Sequence, residues 1–155
     1  MPVIYVVDSF GAFYSEDIEA LAKKYMERLP GKTIGIHCHN NQQLAFANTI
    51  SAIIYGINYL DASLYGIGRG AGNCPLELLI SFLKNPKFKV RPLIEAIEAE
   101  ILPWQEKIDW GYHIPYMVTG VLNQHPRTAM AHMESDKKNK VTQFFDQMTN
   151  ATELG

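Results

Sequence analysis

The sequence predicts an α/β protein built on a parallel sheet, and three observations support that class. Short β-branched and aromatic runs alternate with longer segments of helical periodicity as far as Leu83. The first run, Val3 to Val7, is almost continuously apolar, which is typical of a strand buried on both faces of a parallel sheet. Strands and helices that alternate in this way connect by right-handed crossovers, so the strands lie parallel and the helices pack outside them.

Three strands and three helices are predicted in this part of the chain. The predicted strands are Val3 to Val7, Thr33 to His39 and Tyr59 to Leu64. The predicted helices are Ser15 to Leu29, with Ser15 as the capping residue, Gln42 to Tyr55, and Pro75 to Leu83. Three parallel strands cannot close a barrel, which normally takes about eight, and an open sheet leaves two edges to cover. We therefore expect the chain to be part of something larger, or its copies to associate as a homo-oligomer.

The strand signal fades from about Arg91 onward. Apolar residues at helical spacing predict a helix up to Pro103, and further helix is expected after an aromatic stretch from Trp110 to Tyr116. The segment from Glu134 to Lys140 is charged and is expected to be solvated.

Composition excludes several classes of function. The 155 residues carry a net charge of −2 and are 47% hydrophobic, as in an ordinary folded domain with one core. The charges are mixed in sign, so no nucleic-acid partner is expected. No apolar run approaches the ~20 residues of a membrane span and the N-terminus lacks a basic secretory region, so we expect a cytoplasmic protein with no membrane partner. Cys38 and Cys74 are too few for a disulfide framework and are expected to be thiols.

Polar side chains follow each predicted strand. His37 and His39 lie two residues apart, so they project from one face of their strand while Cys38 faces the other way. Two such imidazoles can bind one metal ion, although a pair of structural or surface histidines is the alternative. In β/α sheets the active site lies at the carboxyl ends of the strands, where both histidines fall.

Asp8 follows the first strand, Asp61 and Ser63 lie on the third, and the loop after the third strand carries Asn73. Each has a purely structural alternative: Asp8 caps a turn, Asp61 orients a neighbour, and Asn73 caps a helix. Their convergence on one rim nevertheless predicts a functional site.

The loop from Gly66 to Asn73 is dense in glycine. It lacks the spacing of a dinucleotide fingerprint and has no Gly-Lys-Ser/Thr, so a phosphate cradle is disfavoured. The glycines are expected to let the backbone pass close to a metal-bound substrate, with Asn73 reaching the ion or capping the helix. Arg69 is expected either to pair with a substrate carboxylate or to face solvent.

Three segments carry a resemblance to a known family. They are Gly35-Ile36-His37-Cys38-His39-Asn40-Asn41, Leu60-Asp61-Ala62-Ser63-Leu64-Tyr65-Gly66, and Gly70-Ala71-Gly72-Asn73-Cys74-Pro75-Leu76-Glu77. The chain resembles the closing strands of the HMG-CoA-lyase-like metalloaldolases, also called DRE-TIM metallolyases or pyruvate carboxyltransferase-domain proteins, and most of all the 4-hydroxy-2-oxovalerate aldolase type. The resemblance implies a partial TIM (β/α) barrel, about the last three strand-helix units, over residues 1–90, followed by a helical C-terminal extension over residues 91–155.

The resemblance also implies chemistry. It implies a divalent cation, Mn²⁺ or Mg²⁺ and sometimes Zn²⁺ or Co²⁺, with His37 and His39 as ligands and Asn73 in the place of a further one. It implies retro-aldol cleavage of a 2-oxo acid with release of pyruvate, and an aldehyde dehydrogenase as partner. Substrate binding is assigned to Asp8, Asp61 and Arg69, and a catalytic tyrosine hydroxyl to Tyr112 or Tyr116, for which ordinary aromatic packing is the alternative. The family's first-strand aspartate and arginine have no counterpart here, and the isolated chain is therefore expected to be incomplete as an enzyme.

Other functions stay open at this point. An acyl-CoA and 2-oxo acid condensing enzyme, similar to isopropylmalate synthase, would share the metal site. A barrel fragment that serves as a non-catalytic assembly or binding module is a third possibility. A zinc hydrolase is disfavoured because no third His or Cys follows at usable spacing.

Overall fold

Three parallel strands form one sheet in the computed structural model, which describes residues 3–153 and side chains as far as residue 151. They are β1 (Val3–Asp8), β2 (Thr33–Cys38) and β3 (Tyr59–Leu60), and β2 lies in the centre. The prediction of an α/β fold with a parallel sheet is thereby confirmed. The third strand is shorter than predicted, because the chain turns at Leu64–Gly66 and Ser63 instead pairs with Pro75.

A helix follows each strand: α1 (Ser15–Arg28), α2 (Ala45–Ile54) and α3 (Leu76–Leu83). The cap of α1 is Tyr14 rather than Ser15, and the Asp17 carboxylate accepts the Tyr14 backbone NH at 2.9 Å. Helix α2 begins later than predicted, because Asn40 closes a turn first and its Oδ1 then accepts the Ala45 NH at 3.1 Å.

The helices cover only one face of the sheet. Val6, Ile36 and Cys38 on that face pack with Ile18 and Ala22 of α1 in the main core. On the other face, which we call the open face, Val7 and Tyr59 are 44% and 51% exposed. The prediction that β1 is buried on both faces is wrong, because Val7 on the open face is 44% exposed.

The chain is helical after residue 90, as the sequence indicates. The elements are α4 (Arg91–Ala96), a π-helical turn (Ile97–Ile101), α5 (Leu102–Gln105), α6 (Ile114–Val121), α7 (Arg127–Met133) and α8 (Val141–Glu153). The segment from Glu134 to Lys140 is largely exposed, as expected. The division of the chain at residue 90 stays a prediction.

Helix α6 lies against the carboxyl ends of the strands. The Gln42 side chain donates to the Ala12 carbonyl at 2.9 Å and to the Gly120 carbonyl at 3.4 Å, and the Asn41 side chain donates to the Tyr116 carbonyl at 3.4 Å. A Cβ at Gly120 would lie 3.0 Å from the Asn41 Cβ, so this close approach depends on glycine. Asn41 and Gln42 therefore fix the C-terminal helices over the rim of the sheet.

The lengths of the helices and the state of the two cysteines follow from the fold. None of the helices within residues 3–153 is both long and apolar enough to cross a membrane. Cys38 and Cys74 are free and buried, as expected for thiols.

Candidate metal centre

His37 and His39 lie side by side at the carboxyl end of β2. Their ring centroids are 5.1 Å apart and the ring planes meet at 80°. Cys38, between them, points into the helix-covered core and is 1% exposed. The alternation of side chains along an extended backbone thus places both imidazoles on the open face.

Asn73 is brought to this pair by the glycine-rich loop. Asn73 and His39 are partners in an antiparallel bridge, so their side chains project to the same side with Cβ atoms about 5 Å apart. The Asn73 amide nitrogen donates to the Ile67 carbonyl at 3.1 Å and to the Ser63 hydroxyl at 3.5 Å. Its Oδ1 is buried and lacks a hydrogen-bond partner among the described residues. The helix-capping alternative is wrong, because the cap of α3 is Pro75.

Glycines in the loop make room for the Asn73 side chain. A Cβ at Gly68 would lie 2.5 Å from the Asn73 amide nitrogen. Gly72 has a φ of +82°, and a Cβ there would run into the Gly66 carbonyl oxygen. The loop therefore wraps an amide side chain whose oxygen is left free. The expected close passage of its backbone to a substrate stays a prediction.

The two aspartates occupy different environments. Asp61 Oδ2 lies 3.3 Å from His37 Nδ1, and the Asp61 side chain is 45% exposed. Asp8 is 2% exposed, and its two carboxylate oxygens accept the backbone NH groups of Ala12 at 2.9 Å and Phe13 at 3.2 Å. Burial raises the pKa of Asp8 and these hydrogen bonds oppose the rise. The contacts of Asp8 are thus those of a residue that shapes the loop after β1, and its substrate role stays a prediction.

Arg69 links the glycine-rich loop to the loop after β1. Its guanidinium donates to the Ser9 carbonyl at 3.0 Å. Burial lowers the pKa of His39 below its ordinary value, and the positive charge of Arg69 lowers it further. Both causes favour the neutral form of His39, in which an imidazole can bind a metal ion.

The two predicted catalytic tyrosines are placed differently. Tyr116 is 7% exposed and belongs to a second core formed by the C-terminal helices. Its ring packs against the glycine-rich loop, where a Cβ at Gly70 would lie 3.1 Å from Tyr116 Cε1, and burial raises its pKa. Tyr112 is 54% exposed, away from that packing. The structure thus brings Tyr116 to the loop that carries Asn73, and both catalytic assignments stay predictions.

The donor atoms fit part of a coordination shell. Within residues 3–153 there is no group of three or more His, Cys, Asp or Glu side chains arranged to hold a metal ion. Two imidazoles and an unpartnered amide oxygen are nevertheless a mixed nitrogen and oxygen set, which suits Mn²⁺, Zn²⁺ or Co²⁺ and leaves other positions for water or substrate. A buried amide oxygen without a partner costs free energy, and a cation would remove that cost.

Sequence reasoning missed two groups of residues. Asn41 and Gln42 hold α6 in place, and the polar run directly behind His39 was the available signal. Tyr5 lies across Gly35, where a Cβ would be 2.5 Å from Tyr5 Cε1. That contact depends on the register of β1 and β2, for which the sequence carries no separate signal.

The fold and the site together define a class: β/α proteins with a parallel sheet that carry paired imidazoles where the strands end. The HMGL-like family model matches residues 2–102. The chain belongs to the HMGL-like family.

Individual relatives agree with this membership. The chain is 44% identical over 100 residues to a 4-hydroxy-2-oxovalerate aldolase of Thermus thermophilus, which covers 62% of this chain and 29% of the relative. It is 35% identical over 128 residues to an oxaloacetate decarboxylase of Mycobacterium tuberculosis, which covers 72% of this chain and 36% of the relative. Among solved structures, the N-terminal domain of a candidate aldolase from Bacteroides vulgatus superposes with a TM-score of 0.75 at 34% identity, over 86% of this chain and 45% of that one.

The chain spans about a third of the length of these two curated relatives. Its three strand-helix units correspond to part of a TIM-barrel domain, as predicted.

Proposed function

We propose that the chain supplies the two-histidine part of a divalent-metal site in a carbon-carbon lyase that acts on a 2-oxo acid. The observation that carries this proposal is the pair of adjacent imidazoles beside the unpartnered Asn73 Oδ1. Family membership and the names of the relatives support it. Aldol cleavage of the 4-hydroxy-2-oxovalerate type, with release of pyruvate, is the first candidate reaction.

His37, His39 and Asn73 would hold the cation. The family resemblance implies Mn²⁺ or Mg²⁺, with Zn²⁺ or Co²⁺ as alternatives, and the two imidazoles favour Mn²⁺ over Mg²⁺. When bound, the cation supplies positive charge beside the carboxylate and keto oxygens, where negative charge develops as the carbon-carbon bond breaks. The lowered pKa of His39 favours the neutral ring, which has a nitrogen free for this role.

The other side chains on the rim orient the substrate. Arg69 is held by the Ser9 carbonyl near His39 and offers a guanidinium to a substrate carboxylate. The Tyr116 ring, against the glycine-rich loop, is the better placed of the two tyrosines to exclude water from the site. Asp8 holds the loop that carries Ser9, so its contribution is to fix the position of Arg69.

A second reaction, decarboxylation of oxaloacetate or a similar dicarboxylic 2-oxo acid, is favoured by a cavity next to Arg69. The cavity holds about 350 Å³ and is lined by Arg69, His125 and Arg127, with Glu134 at the same wall. Two guanidiniums against one carboxylate leave an excess of positive charge, which suits a second carboxylate on the substrate. A neutral aldehyde group would gain nothing from that charge.

Further protein is proposed to complete the site. The open face of the sheet and the outer edges of β1 and β3 would be covered by additional strands, from the same polypeptide, a second copy or another chain. An aldehyde dehydrogenase partner and a cytoplasmic location remain expectations from the family resemblance.

Pyruvate release measured with lactate dehydrogenase tests the proposal. Residues 2–102, which the family model matches, replace the corresponding segment of the Thermus thermophilus aldolase, and the hybrid is given Mn²⁺ and 4-hydroxy-2-oxovalerate. We expect metal-dependent pyruvate release that His37→Ala and His39→Ala abolish. Unchanged turnover in either variant would refute the assignment of the histidines.

A longer hybrid that also carries this chain as far as Glu134, and so includes Arg127 and the cavity next to Arg69, separates the candidate reactions. Oxaloacetate is supplied in place of the hydroxy acid, and the rate with Mn²⁺ alone is subtracted because the free ion also promotes decarboxylation. A preference for oxaloacetate that Arg127→Ala removes would favour the decarboxylase. Release of free thiol from acetyl-CoA in the presence of a 2-oxo acid would instead indicate a condensing enzyme.

A further inference from the structure

Val7, His37 and Asp61 lie side by side in one row across the open face of the sheet. Val7 of β1 and His37 of β2 are register partners. The Asp61 backbone NH donates to the Ile36 carbonyl at 3.0 Å, which continues the β2 and β3 ladder past the end of β3. Asp61 is therefore fixed beside His37 by the backbone, and its carboxylate Oδ2 lies 3.3 Å from His37 Nδ1.

The pair determines which nitrogen of His37 is available. A carboxylate can only accept a hydrogen bond, so a hydrogen bond in this contact requires the proton to be on His37 Nδ1. The lone pair of the neutral ring then resides on Nε2. Histidines that bind metal ions generally donate their other ring NH to a carboxylate or a carbonyl, which fixes both the tautomer and the orientation of the ring.

Tyr5 supports Asp61 from the neighbouring row. Tyr5 and Gly35 are register partners, and the Tyr5 ring occupies the space in which a Gly35 side chain would lie. The ring therefore leans across β2, and burial, followed by the nearby Asp61 carboxylate, raises the pKa of Tyr5. A glycine at position 35 is required for this arrangement on steric grounds, because any Cβ would lie 2.5 Å from Tyr5 Cε1.

We propose that Asp61 is the positioning residue of the two-histidine site, that it holds His37 with Nδ1 protonated and Nε2 free, and that Tyr5, seated over Gly35, holds Asp61. This assignment rests on the proposed function in that the freed Nε2 would be the atom through which His37 holds the cation. Asp61 acts through His37 and is not a ligand itself. Its 45% exposure means that the core does not depend on it.

The tautomer of His37 is the primary readout, and it needs neither metal nor substrate. Two-dimensional ¹H–¹⁵N NMR of the metal-free chain at pH 8 distinguishes a protonated Nδ1 from a protonated Nε2. We expect the Nδ1-protonated form to predominate for His37, and the Nε2-protonated form to become the major species in Asp61→Ala. Tyr5→Phe, which removes only the hydroxyl, should give a smaller shift in the same direction.

Metal affinity is the second readout, measured by calorimetric titration with Co²⁺. We expect Asp61→Ala to weaken binding about tenfold, the lower end of the range for such outer partners. Tyr5→Phe should weaken it about threefold, as for one net hydrogen bond. Matched controls are Tyr59→Phe, a tyrosine of β3 on the same face, and Asp109→Asn, whose carboxylate pairs with His113 at 2.9 Å outside the site. Both controls should keep the parent affinity and the His37 tautomer.

The outcomes are distinct. An unchanged His37 tautomer in Asp61→Ala would overturn the positioning role. If His37→Ala loses Co²⁺ binding while Asp61→Ala retains it, the metal site stands and only this inference fails. If His37→Ala itself retains Co²⁺ affinity, the metal site is wrong and the positioning role fails with it.

Discussion

The two faces of the sheet are built from the same strands and yet differ in almost every property. On the helix-covered face, Ile36 and Cys38 are almost completely buried among aliphatic side chains. On the open face, one residue along in each case, His37 and His39 are only partly buried and lie beside Asp61 and Arg69. The helix-covered face contributes stability through apolar burial, and the open face carries the polar groups of the proposed site.

This difference shows how a β-strand can serve two purposes without compromise. Successive side chains point in opposite directions, so a residue chosen for packing and a residue chosen for chemistry can be neighbours in the chain. The segment Ile36-His37-Cys38-His39 is the extreme case, because packing and polar residues alternate at every position. Substitutions on the two faces should therefore have separable effects.

The largest contrast is expected in thiol chemistry. Burial, reinforced by the nearby charge of Asp8, raises the pKa of Cys38 to about 12. A raised pKa lowers the thiolate fraction at pH 8, by about a thousandfold relative to an ordinary thiol with a pKa near 9. We expect a chromogenic disulfide reagent to react with Cys38 at that reduced rate in the folded chain, and at the ordinary rate in guanidinium. Rapid reaction of the Cys38 thiol in the folded chain would place this side chain on the open face and contradict the assignment of the two faces.

The next largest effect is expected when a side chain on the helix-covered face is truncated. Ile36→Ala should lower the free energy of unfolding by about 2–5 kcal/mol, because it leaves a cavity among residues that are close to fully buried. Urea unfolding followed by circular dichroism measures this loss. Metal affinity of the fraction that stays folded should be unchanged, and a parallel loss of affinity would show that the faces are coupled.

Removal of either imidazole should weaken metal binding and leave the stability of the fold almost unchanged. His37→Ala and His39→Ala are expected to weaken Mn²⁺ or Co²⁺ binding by on the order of a hundredfold, or about 2.7 kcal/mol, because each removes a ligand. The free energy of unfolding should change by less than about 1 kcal/mol, since neither ring belongs to the main core. His132→Gln on α7 serves as a histidine control outside the site. Full binding by either alanine variant would contradict the assignment of ligands.

Cys38→Ser tests the face assignment with a nearly isosteric change. A hydroxyl in the apolar core should lower the free energy of unfolding by about 1–2 kcal/mol, while metal binding stays at the level of the parent chain. If this variant loses as much metal affinity as the histidine variants, the strand register is wrong.

The smallest effect is expected at Val7, the open-face register partner of His37. Val7→Thr keeps the shape and the β-branched character of a side chain that is already 44% exposed. The free energy of unfolding should therefore change by less than about 0.5 kcal/mol. A cost above about 1.5 kcal/mol would indicate that the open face is covered in solution, for example by a second copy, and ultracentrifugation would show the assembly.

The sequence was sufficient to predict the alternation of strands and helices and the directions of side chains along β2. Both follow from local periodicity: a repeat of two places His37 opposite to Cys38, and a repeat of 3.6 gives α1 an apolar stripe that includes Ile18 and Ala22. It misjudged element ends, because the hydrogen bonds at Tyr14 and Asn40 that set the starts of α1 and α2 depend on individual side-chain geometry.

The surroundings of the histidines depend on contacts between distant parts of the chain. Asp61 is 24 residues from His37 in the chain and meets it through the pairing of β2 with β3. Asn73 reaches His39 through an isolated bridge, and Tyr5 leans over Gly35 because β1 and β2 pair in one particular register. The physical reason is that a shift of one residue in strand register moves every side chain to the opposite face, and the local periodicity of each strand is the same in either register.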